Sequence, residues 1–220
     1  NHFTHINTRT HGAYSGLTSD YIQTIFLDSH QNLWAGSWDK GLFFLKKGST
    51  HFINYSPNNT NGIFTANTVM SIDEGPNGDI WIGSYRNGLY TYRPGTGDFA
   101  HHGDIVGQNG PNGYFIWKIL FDNDGDLWMG TTKGLYRVYR SKNGGLSVKG
   151  LQEGMQKEYD NPVTANHILS LKNRGNNFIL NGVGSVYPFS RREANSGECN
   201  SKSANECSGT NTSTSGVAED

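Results

Sequence analysis

The chain has 220 residues and a net charge of −1, with 34% hydrophobic and 17% charged residues, 29 glycines and 12% aromatics. That near-neutral balance carries no basic footprint for nucleic acid or an anionic membrane. No apolar run approaches the roughly 18 residues a membrane helix needs. A glycine-punctuated, aromatic-rich, weakly charged chain reads instead as many short strands joined by turns. It begins at Asn1 without a methionine or a signal peptide, which suggests a mature piece or a fragment. Its two cysteines, Cys199 and Cys207, lie in a polar C-terminal stretch and set no disulfide framework.

In chain order, the first strand expected is the closing strand of a preceding unit, His2-Phe3-Thr4-His5-Ile6, which resembles His51-Phe52-Ile53-Asn54-Tyr55. A unit of 47 residues then begins, marked by Trp34, Trp81 and Trp128. The text around them repeats as Leu33-Trp34-Ala35-Gly36-Ser37, Ile80-Trp81-Ile82-Gly83-Ser84 and Leu127-Trp128-Met129-Gly130-Thr131. Upstream, Ile22/Ile25, Val69/Ile72 and Ile116/Ile119 hold the same offsets; downstream come Gly41-Leu42, Gly88-Leu89 and Gly134-Leu135. Between the Ile pairs and the Trp segments lie turns such as Asp122-Asn123-Asp124-Gly125-Asp126, rich in residues that tolerate a left-handed backbone. Each unit therefore reads as four strands, A to D, at the period of propeller blades, with a solenoid of hairpins as the alternative architecture. One blade cannot bury both its faces, so blades must stack about an axis, and an incomplete arc would leave bare end faces that favour association.

A worn fourth copy spans Ile168-Leu169-Ser170-Leu171, Phe178-Ile179-Leu180 and Ser185-Val186-Tyr187, without the Trp. The expected organisation is an all-β, partial β-propeller of about four four-stranded antiparallel blades over residues 1–189, with repeats near 16–62, 63–112, 113–162 and a degenerate 163–189. Residues 190–220, dominated by Ser, Asn, Gly, Thr and Glu, are expected to be a disordered tail.

Together, the Ile pair, the Asp/Asn/Gly turn, Leu-Trp-x-Gly-Ser/Thr and Gly-Leu-Tyr resemble the two-component regulator propeller repeat. The resemblance covers roughly residues 3 to 189. It implies the periplasmic sensor region of a bacterial hybrid two-component regulator, many of which are linked to glycan uptake. Such regions hold more blades than four, so the resemblance also implies a section of a larger propeller.

In an up-and-down blade the B-to-C and D-to-A connections share one end. There the sequence gathers Trp38, Asp39 and Lys40, then Tyr85, Arg86 and Asn87, then Thr132 and Lys133. The long D-to-A connections add Tyr14, Phe64, Tyr114 and Phe115. Aromatic faces stack on sugar C–H surfaces while cationic and amide groups bond hydroxyls and carboxylates. Trp38, Lys40, Tyr85, Arg86, Tyr114, Trp117 and Lys133 are therefore candidate ligand contacts, although variable loop residues are often simply solvated. Trp117 faces opposite to Ile116 if strand alternation holds, lining the channel or packing on a neighbour. Trp34, Trp81, Trp128, Gly36, Gly83 and Gly130 recur in every good copy and belong to the structural repeat core.

Other constellations are weaker. Asp122, Asp124 and Asp126 have calcium-loop spacing but lack the rest of that motif, so a hairpin turn is the expectation. His101-His102 has no third metal ligand at a telling spacing, and no nucleophile, metalloprotease or phosphate-loop motif occurs. A propeller lyase or hydrolase would have to draw on His11, Tyr14, His101 and Tyr114. The expectation is a non-catalytic, extracytoplasmic sensor without cofactor or metal, part of a membrane-anchored protein. Its partners would be an oligosaccharide and further blades or a second propeller as a homodimer, with no nucleic acid. A protein-interaction or dimerisation scaffold is the alternative.

Overall fold

A computed structural model of the chain describes residues 5–9, 14–103, 115–141 and 145–150, together with the strand backbones 168–174, 177–182 and 185–190. His11, Tyr114, Cys199, Cys207 and the polar tail lie outside the described residues. Every element named among the described residues is a strand. The first blade is β1 (Ile22–Leu27), β2 (Leu33–Ser37), β3 (Leu42–Leu45) and β4 (Ile53–Tyr55). The second is β5 (Val69–Glu74), β6 (Ile80–Ser84), β7 (Leu89–Arg93) and β8 (Asp98–His101). The third is β9 (Ile116–Phe121), β10 (Leu127–Thr131), β11 (Gly134–Arg140) and β12 (Leu146–Gly150). A fourth sheet has three strands, β13 (Ile168–Arg174), β14 (Asn177–Gly182) and β15 (Ser185–Ser190). In each sheet the strands pair antiparallel in sequence order, and β1, β5, β9 and β13 adjoin one another from sheet to sheet. The fold is an all-β partial propeller whose first strands form the inner wall.

The core lies between blades. Trp34 of the first blade sits among Val69, Ile72, Ile80, Ile82, Tyr90 and Tyr92 of the second. Trp81 of the second likewise sits among Ile116, Ile119, Leu127 and Met129 of the third. The repeated glycine follows from this stacking. A Cβ on Gly36 would stand 2.5 Å from Val69 Cγ1, and one on Gly83 would stand 2.7 Å from Ile116 Cγ2. No heavier residue lets the next inner strand approach so closely.

Polar groups also cross the second interface. Ser71 Oγ accepts the backbone N–H of Ile119 at 3.1 Å and Asp73 Oδ2 that of Phe121 at 2.7 Å. These bonds satisfy donors on the free edge of β9, which has no strand partner on that side. Between the first and second blades, Glu74 accepts both the backbone N–H and the hydroxyl of Ser29 at 2.6 Å.

The Asp-rich turns are held from inside. Asp28 Oδ2 accepts the indole N–H of Trp34 at 2.9 Å while its Oδ1 accepts the backbone N–H groups of His30 and Asn32. Asp122 repeats the arrangement with Trp128, Asp124 and Asp126. Asp126 in turn pairs with Arg137. The acidic trio is thus a side-chain-braced hairpin turn, and no group of three acidic, His or Cys side chains among the described residues could hold a metal.

One flank departs from expectation. The outward face of the first blade is not wholly bare, because Ile6, Tyr14 and Leu17 pack over Ala35, Phe43, Leu45 and Phe52. Ser15 also bridges to His51. Ile25 and Leu27 on β1 nevertheless remain 70% and 61% exposed.

Candidate functional site

The strand alternation assumed for Trp117 is interrupted. Each inner strand carries an irregularity at its second residue, between Ile22/Thr24, Val69/Ser71, Ile116/Lys118 and Ile168/Ser170. The residue passed over in the third blade is Trp117. A bulge re-aims its side chain and adds local twist, and here the indole meets the second blade's loop.

The B-to-C loops are tied down by a repeated backbone bond. The N–H of Trp38 donates to Tyr21, that of Tyr85 to Thr68 and that of Thr132 to Phe115, at 2.9, 3.1 and 3.2 Å. Each bond joins the loop to the residue just before its own inner strand, so the loops and the D-to-A connections form one end of the molecule. Below them Ser37, Ser84 and Thr131 donate their hydroxyls to the carbonyls of Gly41, Gly88 and Gly134.

On this frame the rings of three blades converge. Tyr85 stacks on Phe115 with centroids 3.8 Å apart and planes 9° from parallel. Trp38 lies 5.2 Å from Tyr85, and Trp117 meets Tyr85 and Phe115 edge-on at 6.3 and 5.8 Å. The guanidinium of Arg86 lies 5.4 Å from the Tyr85 centroid and 5.5 Å from that of Phe115. Its backbone is left-handed, with φ 74°, a conformation that disfavours a bulky residue. The indole Nε1 of Trp117 is buried and has no hydrogen-bond partner among the described residues.

Of the residues expected at the site, Trp38, Tyr85, Arg86 and Trp117 are brought together. Phe115 joins them as the stacking partner, a role its position in a long connection did not reveal. Lys40 is exposed on the first loop, where its carbonyl accepts from Asn54. Lys133 is exposed on the third loop, and its backbone N–H donates to Thr131 Oγ1.

The histidine pair divides across its strand. His101 stacks on Tyr90 at 4.5 Å and bonds the carbonyl of Asn87, whereas His102 stacks on Trp81 at 5.2 Å and bonds Thr91 Oγ1. Burial, with the neighbouring His101 adding to it, holds His102 below the usual imidazole range. Tyr14 is in the cluster under the first blade, so Tyr14 and His101 do not form a pair.

A family model described as two component regulator propeller matches residues 16–39 and 109–133. The chain carries two component regulator propeller repeats. The matched stretches belong to the first and third blades, whose turns hold Asp28 and Asp122; the second blade has Gly75 at that position. Among solved structures, the chain is similar to the extracellular domain of a protein described as a hybrid two component system from B. thetaiotaomicron. The TM-score is 0.61 at 21% identity, over 84% of this chain and 22% of that one. A second such extracellular domain from the same organism gives 0.53 at 17% identity, over 84% and 29%. An inactive variant of virginiamycin B lyase from Staphylococcus aureus gives 0.51 at 16% identity, over 79% and 57%. None of the curated proteins compared with the chain matches it. The chain spans less than a third of the two extracellular domains, and these likenesses establish the propeller fold carried by the repeat. A fold shared by sensors and a lyase does not decide the chemistry.

Proposed function

We propose that the chain is a section of an extracytoplasmic, non-catalytic sensor propeller of a two component regulator, and that its loop face recognises a glycan-type signal. The reading rests on one observation above all. The loops of neighbouring blades differ in sequence yet meet in one cluster, with Tyr85 on Phe115, Arg86 over both, and Trp38 and Trp117 at the edges. The Trp38 ring, 43% exposed, suits a sugar C–H surface, and a guanidinium suits hydroxyls and carboxylates. The buried indole N–H of Trp117 has no partner among the described residues, and an acceptor that reached it would satisfy it. The repeat type and the likeness to extracellular domains of hybrid two component systems agree with this reading.

In such a sensor a bound oligosaccharide biases how propellers dock, and a membrane-coupled output responds to the shifted population. Calorimetry against an oligosaccharide panel, using wild-type protein and a Trp38→Ala/Arg86→Ala double variant, tests the site. Equal binding by both proteins removes the cluster from the account.

A second reading, an interaction or dimerisation scaffold, is favoured by β1. Ile72 and Ile119 are 2% and 0% exposed at the inter-blade contacts, whereas their counterpart Ile25 is 70% exposed. Another blade or a second copy of the chain would cover it.

A further inference from the structure

The inner turns treat their tryptophans unequally. Asp28 and Asp122 each accept an indole N–H at 2.9 Å, and Trp34 and Trp128 are both 1% exposed. The second blade has Gly75 in place of the aspartate, and Trp81 makes no hydrogen bond to any described residue. Space rather than backbone conformation demands this glycine: a Cβ would stand 2.9 Å from Trp81 Nε1 and 3.2 Å from Phe121 Cζ. The indole therefore occupies room that the carboxylate fills in the other blades. Trp81 is 8% exposed and lines a cavity of about 300 Å³ between the second and third blades. This is the A-to-B turn end, away from the Tyr85 cluster.

The cavity wall has two characters. Trp81 and Phe121 meet edge-on at 5.7 Å and, with Leu127 and Leu146, make the apolar part of the lining. Asn77, Asp124, Asp126 and Arg140 supply its polar lining. A small polar ligand with one apolar face fits that division, and the volume lies at the lower end of ligand pockets, from about 300 Å³ upward. We propose that this inter-blade cavity is a second ligand site, taking a single neutral sugar ring. The ring would set its C–H face against the parts of Trp81 and Phe121 that border the cavity, with hydroxyls toward Asn77, Asp124 and Arg140 and an acceptor for the indole N–H.

The test uses the whole chain, ¹⁵N-labelled, titrated with the methyl glycosides of glucose, galactose, mannose and N-acetylglucosamine. The five tryptophans give separate indole N–H signals. Saturable movement of the Trp81 signal, with those of Trp38 and Trp117 unmoved, is the expected result. Gly75→Asp, which restores the aspartate, and Leu146→Phe, which fills the cavity, should each weaken binding at least about tenfold, the equivalent of one buried hydrogen bond or lost contact. Leu146→Phe keeps the test decisive if Gly75→Asp fails to fold. No movement of Trp81 with any glycoside, or equal affinity in a folded variant, overturns the proposal. Movement of Trp38 and Trp117 alone also overturns it and leaves the loop-face reading intact.

Discussion

Gly36 and Val69, 33 positions apart in sequence, meet at the first inter-blade contact so closely that a Cβ on the glycine would lie 2.5 Å from Val69 Cγ1. The glycine cannot gain a side chain without a neighbour moving. Gly36→Ala is expected to destabilise the protein by about 1–3 kcal/mol, the usual range for overpacking. The Gly36→Ala/Val69→Ala double variant should recover part of that loss, giving a coupling energy in a urea-denaturation cycle. Strictly additive losses would assign the glycine to Thr24 Cγ2, which would lie 2.7 Å from the same Cβ, rather than to Val69 Cγ1.

Asp28 links acidity to stability. Burial acts to raise its carboxyl, but the bonds from Trp34, Asn32 and His30 outweigh it and hold the group below the usual range. A carboxylate depressed in the fold stabilises it above the unfolded value, about 3.9, and that contribution is lost as pH falls through the folded value. Asp73 has the opposite sign: burial raises it despite the N–H groups of Phe121 and Glu74, so its ionisation opposes folding as pH climbs past about 3.9. Asp28→Asn should flatten the acid limb of stability against pH, and Asp73→Asn should steepen it. Unchanged limbs in urea titrations would refute both assignments.

His102 sets a limb nearer neutrality. Its folded value is lowered by burial against Trp81, so stability is full above the unfolded value of 6.5 and falls as pH drops from there through the lower folded value. Melting temperatures between pH 7.5 and 5.5, taken as about one unit either side of that value, should decline less in His102→Gln than in the wild type.

Arg86 separates strain from recognition. A left-handed φ of 74° costs a non-glycine residue about 1–2 kcal/mol, comparable to what its cation–π contacts return. Arg86→Gly should therefore leave the melting temperature level or slightly raised while weakening oligosaccharide binding. A large loss of stability would recast Arg86 as a structural residue.

Ile25→Lys addresses the bare stretch of β1. With Ile25 70% exposed, the change should alter stability by less than about 0.5 kcal/mol yet reduce self-association in sedimentation velocity. Identical sedimentation of the two proteins would remove this strand from any interface.

The sequence alone determined the unit and its local devices. Recurring Trp34, Trp81 and Trp128, their glycine partners and the polar turns specify strands, hairpins and a stacked core, because period, turn chemistry and burial pattern are properties of neighbours in the chain. Three features were decided only in the tertiary structure. A bulge turned Trp117 out of its expected alternation, Phe115 became the ring on which Tyr85 stacks, and Gly75 let Trp81 take the place of a missing carboxylate. Each depends on how one blade sits against the next. That relation is fixed by contacts between residues tens of positions apart, such as Gly83 with Ile116 and Asp73 with Phe121, and not by any local pattern in the chain.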